Sequence, residues 1–161
     1  MNRQIVRDIV TLQRDVSSIN DEIVDAGLTL TRTTAQAITT AGTVIVWQSR
    51  IRGQGIAWSG SDISIPTDGW YIVACAFQFG ALNDLLVRLV VNGVGVQFAS
   101  TIGDVNRDVA TATFMRYFIQ GSVVRIQLEP SANVNVNARA EGITAESPIL
   151  NVVQLTNKAE V

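Results

Sequence analysis

The sequence predicts an all-β head domain carried on an N-terminal α-helical coiled-coil stem, the whole assembled as a homotrimer. The prediction comes from a heptad repeat in the first residues, apolar residues with a period near two from Thr43 onward, and turn signals between the resulting segments. We expect a stem over residues 1–27, a neck or linker over residues 28–42 and the head over residues 43–161.

The stem is predicted by apolar residues spaced alternately four and three apart. A seam of this spacing keeps facing a partner helix, and the Ile and Val residues along it favour three or four strands over two. Gly27 ends the predicted helix as a C-terminal cap would. An amphipathic helix folded back onto its own domain is the alternative. The predicted residues of the trimer stem are Ile5, Ile9, Leu12, Val16, Ile19 and Ile23.

The head is predicted by short apolar segments separated by turns rich in Gly, Asp and Asn. Many short strands at this spacing are typical of a β-sandwich or barrel. The pair Asn92-Gly93 between two β-branched runs is the strongest hairpin signal in the chain. The predicted strands are Thr43–Gln48, Ile56–Trp58, Asp62–Ile65, Trp70–Phe79, Leu85–Val91, Val94–Ser100, Val109–Ile119, Val123–Leu128, Val134–Ala138 and Ile149–Leu155.

Composition narrows the classes of function. The net charge is −2 and the arginines are scattered, so we expect no nucleic-acid partner. No apolar run reaches the roughly 18 residues of a membrane-spanning helix. The N-terminus also lacks the apolar core of a signal peptide. We therefore expect synthesis in a cytoplasm and no membrane insertion.

The residue types also argue against catalysis. The chain has no histidine, which removes the commonest general base and most zinc sites. No pair of carboxylates or phosphate-binding loop stands out. Cys75 lies in the middle of an apolar strand, where a small buried hydrophobe is expected rather than a nucleophile. We expect no enzyme activity, no catalytic residues and no cofactor.

Candidate ligand contacts come from one tryptophan and one acidic loop. Trp58 precedes Ser59-Gly60-Ser61 at a strand end, where an aromatic ring can stack on a saccharide or anchor a protein partner; the alternative is a core position. The loop residues Asp104, Asn106 and Asp108 offer hard oxygen ligands for calcium, but the glycine and bidentate acid of an EF-hand are missing. We expect no metal, with a solvated turn preferred over a surface calcium site.

Several motifs, taken in order, resemble those of the trimeric jelly rolls of the C1q-like and tumour-necrosis-factor-like superfamily. Ile65, Pro66, Gly69 and Tyr71 match an I-P-x-x-G-x-Y motif that precedes a long apolar strand. The segment LLVRLVVNG stands where that superfamily has a strand ending in an Asn-Gly-type turn. The resemblance runs from about Thr43 to Leu155, and it implies a tight homotrimer. The stem has no Gly-X-Y repeats, so a collagenous relative is excluded.

A second motif surrounds Gly121, and it can be aligned with the preceding strand in two registers. The segment FMRYFIQGSVVRIQL resembles L-x-L-x-x-G-D-x-V-x-L, with Gly121 as the glycine and Ser122 in place of the aspartate. In strict register Arg116 and Phe118 stand on the two leucines. A slip of one residue would put Met115 and Tyr117 there instead.

The strand faces predict the interface of the head. The resemblance implies that on Trp70–Phe79 the odd-numbered side chains fill the sandwich and the even-numbered ones face the trimer axis. On Val109–Ile119 we expect Met115 and Tyr117 inside, because the opposite choice would bury Arg116. One thick sandwich covering both faces is the alternative. The expected head-interface residues are Trp70, Ile72, Ala74, Phe114, Arg116 and Phe118.

By analogy with the trimeric surface proteins of tailed bacteriophages, we interpret the chain as a non-enzymatic, trimeric surface protein of a tailed-bacteriophage virion, made in the host cytoplasm. It would be a head fibre or capsid decoration protein, docked to other virion proteins through its N-terminal helix and with scope for adhesion. A tail-fibre receptor-binding protein that recognises a host saccharide or protein is the alternative. A cellular C1q-like or tumour-necrosis-factor-like adhesin or ligand is a further one. The resemblance implies that contact loops at the pole opposite the stem include some of Leu82–Asp84, Gly103–Asp108 and Pro130–Asn133.

Overall fold

The computed structural model describes residues 26–79, 84–101, 109–137 and 148–155. Every regular element within these ranges is a β-strand, so the all-β expectation for the head is confirmed. The predicted coiled-coil stem lies outside the described residues. In the part that is described, no helix is long and apolar enough to cross a membrane. The strands are β1 (Gly27–Thr31), β2 (Gln36–Ile38), β3 (Thr43–Val44), β4 (Ser49–Gln54), β5 (Ala57–Ser59), β6 (Asp62–Ser64), β7 (Gly69–Gln78), β8 (Leu85–Val91), β9 (Val94–Thr101), β10 (Val109–Phe118), β11 (Val123–Pro130), β12 (Val134–Val136) and β13 (Ile149–Leu155).

Two antiparallel sheets form the sandwich. Sheet I has the strand order β10-β7-β13-β1-β4, and sheet II has the order β5-β6-β11-β8-β9 with β3 paired to β11. A ribbon of β2 and β12 is joined to the end of β7 by a bridge between Phe79 and Val136. Most neighbouring strands are distant in sequence, so the chain crosses repeatedly between the sheets. This connectivity is that of a jelly roll.

The core lies between the facing sides of the two sheets. In β7 the odd-numbered residues from Tyr71 to Phe77 are buried, and the even-numbered ones are half-buried or exposed. From the other side β11 contributes Val124, Ile126 and Leu128. The sandwich-filling face expected for β7 is thereby confirmed. Each large apolar side chain removed from water in this way stabilises the fold by roughly 1.5–3 kcal/mol.

Residues 28–42 are part of the head, and the expectation of a neck or linker there is wrong. They contribute most of β1, which lies between β13 and β4 in sheet I, and all of β2. Leu28 and Leu30 are buried and alternate with threonines. The Thr- and Ala-rich composition obscured this two-residue period. The folded head therefore begins at Gly27 and not at Thr43.

A buried arginine holds the turn that follows β1. Arg32 is 4% exposed, and its guanidinium donates hydrogen bonds to the backbone carbonyls of Thr34, Ala35 and Val46. Burial lowers the pKa of Arg32. A buried cation is costly unless its N–H groups are hydrogen-bonded. The bonds to these carbonyls meet that need, and they hold the β1–β2 loop against the segment that leads into β4.

The strand predicted over Thr43–Gln48 is shorter than expected, and an unpredicted strand follows it. Only β3 is regular, and Ile45 and Trp47 then enter the core outside any strand. The unpredicted strand is β4, which forms an edge of sheet I and is mostly exposed. A solvent-facing edge strand needs no apolar alternation, so its sequence carries no periodic signal.

The predicted hairpin at Asn92-Gly93 joins β8 to β9. Both residues have positive φ, 50° and 84°, as a two-residue type I′ turn requires. Val91 and Val94 pair directly across the turn. The Asn92 backbone N–H donates to the Val123 carbonyl, and its side-chain oxygen accepts from the Val123 N–H, both at 2.9 Å. The turn therefore also binds the start of β11.

The two ends of the sandwich can be told apart by where the chain enters the head. Ala26 lies where β13 finishes, and its carbonyl accepts a hydrogen bond from the Gln154 backbone N–H at 2.9 Å. We call this end the stem pole, because the residues before Ala26 join the head here. β7 starts near it and runs to Gln78, which pairs with Val109 at the opposite end. That opposite end is the distal pole.

Candidate oligomerisation and contact surfaces

The outward face of sheet I carries an apolar patch towards the stem pole. Its two rows follow the strand register: Tyr117, Trp70 and Leu155 lie side by side, followed by Met115, Ile72 and Val153. The rings of Trp70 and Tyr117 pack edge to face, with centroids 6.0 Å apart. Trp70 is 43% exposed, Tyr117 47% and Met115 57%. A contiguous exposed patch of this kind marks a contact surface.

The facing expected for β10 is wrong. Phe114 and Phe118 are 4% and 2% exposed and belong to the core of the subunit. Phe118 packs against Tyr71, with ring centroids 5.6 Å apart. Neither phenylalanine can contact a neighbouring subunit. Met115 and Tyr117, which were expected inside, lie on the outward face instead.

Arg116 explains why the expectation failed. It shares the inward phase of β10, yet it is only half-buried. β10 is the edge strand of sheet I, and at an edge a long side chain can carry its charge out of the sandwich while its stem stays packed. Arg116 and Phe118 therefore share the inward phase of β10, while the register of the motif before Gly121 stays a prediction. Arg116 as a residue of the trimer interface stays a prediction.

The outward residues of β7 lie where a neighbouring subunit could reach them. Trp70 is exposed, and Ile72 and Ala74 are half-buried by the flanking strands β10 and β13. Their contact with another copy of the chain stays a prediction. Trp70 is 43% exposed within one subunit.

Trp58 is half-buried against the core and not a free ring at a loop edge. Its indole N–H donates to the Gly60 carbonyl at 2.7 Å, within the same turn. The polar group that would have bound a ligand is therefore already engaged. A ligand contact through the remaining ring surface stays a prediction.

The acidic loop with Asp104, Asn106 and Asp108 lies outside the described residues. Neither its contact with a ligand nor the alternative of a calcium site is tested there. Within the described ranges, no three acidic, histidine or cysteine side chains come close enough to hold a metal ion.

Cys75 is buried between β10 and β13, as expected. It is 4% exposed, and its sulfur lies 3.7 Å from the Ala112 carbonyl oxygen. Burial raises the pKa of the Cys75 thiol to about 12. Because the thiolate is the nucleophile and the metal ligand, this cysteine is chemically quiet at neutral pH.

The outward side of sheet II carries charged side chains, and its two arginines are paired with carboxylates. Arg88 forms an ion pair with Glu129 at 2.5 Å and lies over the ring of Phe98, 5.2 Å from the ring centroid. Arg125 binds both carboxylate oxygens of Asp62, at 2.6 and 2.9 Å. The Arg125 hydrogen bond is the main reason that the pKa of Asp62 falls to about 2. This surface contrasts with the apolar patch.

An open depression of about 350 Å³ lies at the distal pole. It combines carboxylates, hydroxyls and apolar side chains, and the Ser131 backbone N–H closes one side by donating to the Asp84 carbonyl at 2.8 Å. Two of the expected contact loops, Leu82–Asp84 and Pro130–Asn133, contribute to it. Its lining residues are Asp84, Leu85, Leu86, Ser100, Glu129, Pro130 and Ser131.

The fold is that of the C1q-like and tumour-necrosis-factor-like jelly rolls, as the sequence motifs predicted. No protein-family model matches the chain, and no curated protein matches its sequence. The likeness appears among solved structures, at sequence identities so low that it concerns the fold.

Murine APRIL is one such structure, with a TM-score of 0.62, 14% identity, and coverage of 81% of this chain and 99% of that one. The Eiger TNF of S. frugiperda has a TM-score of 0.60 at 7% identity, covering 84% and 96%. The vertex protein P5 of PRD1 has a TM-score of 0.59 at 12% identity, covering 83% and 74%.

Sequence reasoning missed four members of the apolar patch: Met115, Tyr117, Val153 and Leu155. A signal was present in β13. The segment ILNVVQL is apolar in both phases, and a strand that is apolar on both faces is expected to be covered on both. The sequence prediction uses this argument for the two long strands β7 and β10 only.

Proposed function

We propose that this chain is a non-enzymatic, trimeric surface protein of a phage virion, whose head assembles through the outward face of sheet I. The apolar patch is the observation that supports the trimer. Trp70, Met115 and Tyr117 are exposed and lie next to one another on neighbouring strands, and burying them against another copy would gain roughly 25 cal/mol per Å².

The position of the stem pole agrees with this assembly. Ala26 lies at the same end of sheet I as the apolar patch, since Gly27 pairs with Val153. A three-stranded stem built on Ile9, Val16 and Ile23 would therefore join the head beside the surface that forms the trimer. The stem and the head would then share one threefold axis.

Assignment to a virion rests on the shared fold. The vertex protein P5 of PRD1, a phage protein, has this fold over most of the present chain, and the chain carries no histidine for catalysis. We propose a head fibre or capsid decoration protein, attached to other virion proteins through its N-terminal stem.

A receptor-binding role is the second candidate, and the depression at the distal pole favours it. In a stalked trimer the pole away from the stem is free for contacts, and three copies present each site around the axis. Weak single contacts to a host saccharide or protein then gain strength through multivalency.

Sedimentation equilibrium tests the trimer, with two matched substitutions. Val153→Asp places a charge in the apolar patch, whereas Val94→Asp places it at the exposed β8–β9 turn, where Val94 is 63% exposed. We expect a trimer for the wild type and for Val94→Asp, and dissociation for Val153→Asp, because an unpaired charge is costly in a buried interface. A monomeric wild type would overturn the proposal, as would equal behaviour of the two variants.

A further inference from the structure

The arginines of the two sheets differ in their partners. Both arginines on sheet II, Arg88 and Arg125, are paired with carboxylates. The strands of sheet I hold Arg50, Arg52 and Arg116, and none of these strands contains Asp or Glu. No ion pair joins these three arginines to a carboxylate within the described residues. Sheet I thus carries uncompensated positive charge.

One of these arginines lines a groove on the outward face. The groove follows β1, whose outward residues Gly27 and Thr29 are small, and β13 and β4 form its walls. It consists of two adjoining hollows of about 170 and 310 Å³, and Thr29 and Arg52 line both. The lining residues are Thr29, Ile51, Arg52, Ile149 and Asn151 in the smaller hollow, and Gly27, Leu28, Thr29, Arg52, Gly53, Gln54 and Val153 in the larger.

The polar groups of the smaller hollow are mainly donors. The Thr29 hydroxyl donates to the Asn151 side-chain oxygen at 2.8 Å. This uses one of the two lone pairs of the amide oxygen and leaves the two amide N–H groups for a ligand. Arg52 adds a planar guanidinium, which matches a carboxylate in a bidentate manner. A hollow lined by hydrogen-bond donors, with no acidic side chain among its lining residues, favours an anion as its ligand.

We propose that this groove binds a carboxylate, held by Arg52 and the Asn151 amide. The groove adjoins the apolar patch at Val153, so in the assembled trimer the site would lie at the edge of the interface; this part rests on the proposed function. A carboxylate there would balance the charge of the exposed Arg52 guanidinium. The carboxylate comes either from the acidic residues just before Ala26, which are Asp21, Glu22 and Asp25, or from a free carboxylate in solution.

Thermal unfolding of the full chain tests the site, with sodium acetate as the probe and sodium chloride at equal ionic strength as the reference. The variant is Arg52→Gln. The matched control is Arg50→Gln, on the same strand but lining neither hollow. A free carboxylate predicts that acetate raises the Tm of the wild type and of Arg50→Gln, but not of Arg52→Gln.

A carboxylate from the chain predicts a different pattern. Arg52→Gln should lower the Tm by about 4 °C more than Arg50→Gln does, with no acetate effect on the wild type. The triple variant D21N/E22Q/D25N should lower the Tm similarly and leave no further loss for Arg52→Gln. Acetate should restore the Tm of the triple variant only when Arg52 is present.

Three results would overturn the site. The first is no acetate response together with equal Tm values for Arg52→Gln and Arg50→Gln. The second is additive losses of Tm from Arg52→Gln and the triple variant, and the third is an acetate response that Arg52→Gln retains. Sedimentation of the same samples separates this failure from failure of the trimer. A monomeric wild type that still responds to acetate through Arg52 would retain the site and reject the assembly.

Discussion

Cys75 is held away from solvent by the strands on both sides of β7. Ala112 of β10 and Leu150 of β13 are its register partners, and both are buried. With its pKa raised to about 12 by burial, the thiol is almost wholly protonated at neutral pH. Its role is to fill space in the sandwich.

We expect Cys75 to resist thiol reagents in the native protein and to react fully in denaturant. The measurement is the rate of labelling by a chromogenic disulfide at pH 8, with and without guanidinium chloride. Reactivity follows the thiolate fraction and access, and both are low here. Labelling of the native protein at the rate of a free thiol would contradict the burial found for β7.

At the scale of the element, β10 shows how an edge strand divides its side chains. Phe114 and Phe118 pack into the sandwich while Met115 and Tyr117 form part of the apolar patch. Adjacent residues of one strand therefore differ in their surroundings: one packs into the core of the subunit, and the other lies on the patch that we propose as the assembly surface.

Phe118→Ala and Tyr117→Ala should separate these two levels. Phe118→Ala removes a ring from the core and should lower the free energy of unfolding by about 3–5 kcal/mol. Tyr117→Ala should leave the subunit folded and shift the equilibrium towards monomer. Denaturant unfolding and sedimentation of both variants make the comparison. The reverse pattern would restore the facing first expected for β10.

At the scale of the whole molecule, the two poles of the head carry different features. The residues before Ala26 join the head at the stem pole, and the depression lined by Asp84 and Glu129 lies at the distal pole. A decoration protein depends on the first end, and an adhesin also depends on the second.

Variants at the two ends distinguish these functions. For a decoration protein, deletion of residues 1–12 should abolish binding to the virion, while Asp104→Ala with Asp108→Ala, or Trp58→Ala, changes nothing. For an adhesin, the head substitutions should lower binding to host cells without altering the trimer, because each removes a repeated weak contact. Particle-binding and cell-binding assays on both sets give the answer. No response in either assay would reject both assignments.

The sequence by itself determined the fold class, most of the strands and the hairpin at Asn92-Gly93. These depend on local alternation and turn chemistry, which neighbouring residues encode. It also placed Cys75 and Tyr71 in the core, on the face of β7 that the family resemblance assigned to the sandwich. The motif around Gly121 indicated the superfamily fold.

Only the tertiary structure decided the rest. Whether Phe118 or Tyr117 faces inward depended on β10 being an edge strand, where Arg116 can reach solvent. β1 and β4 were missed because pairing partners more than 100 residues away, or solvent, set their environment. The apolar patch and the Arg52 groove each combine side chains from three strands, and no local pattern records which strands become neighbours.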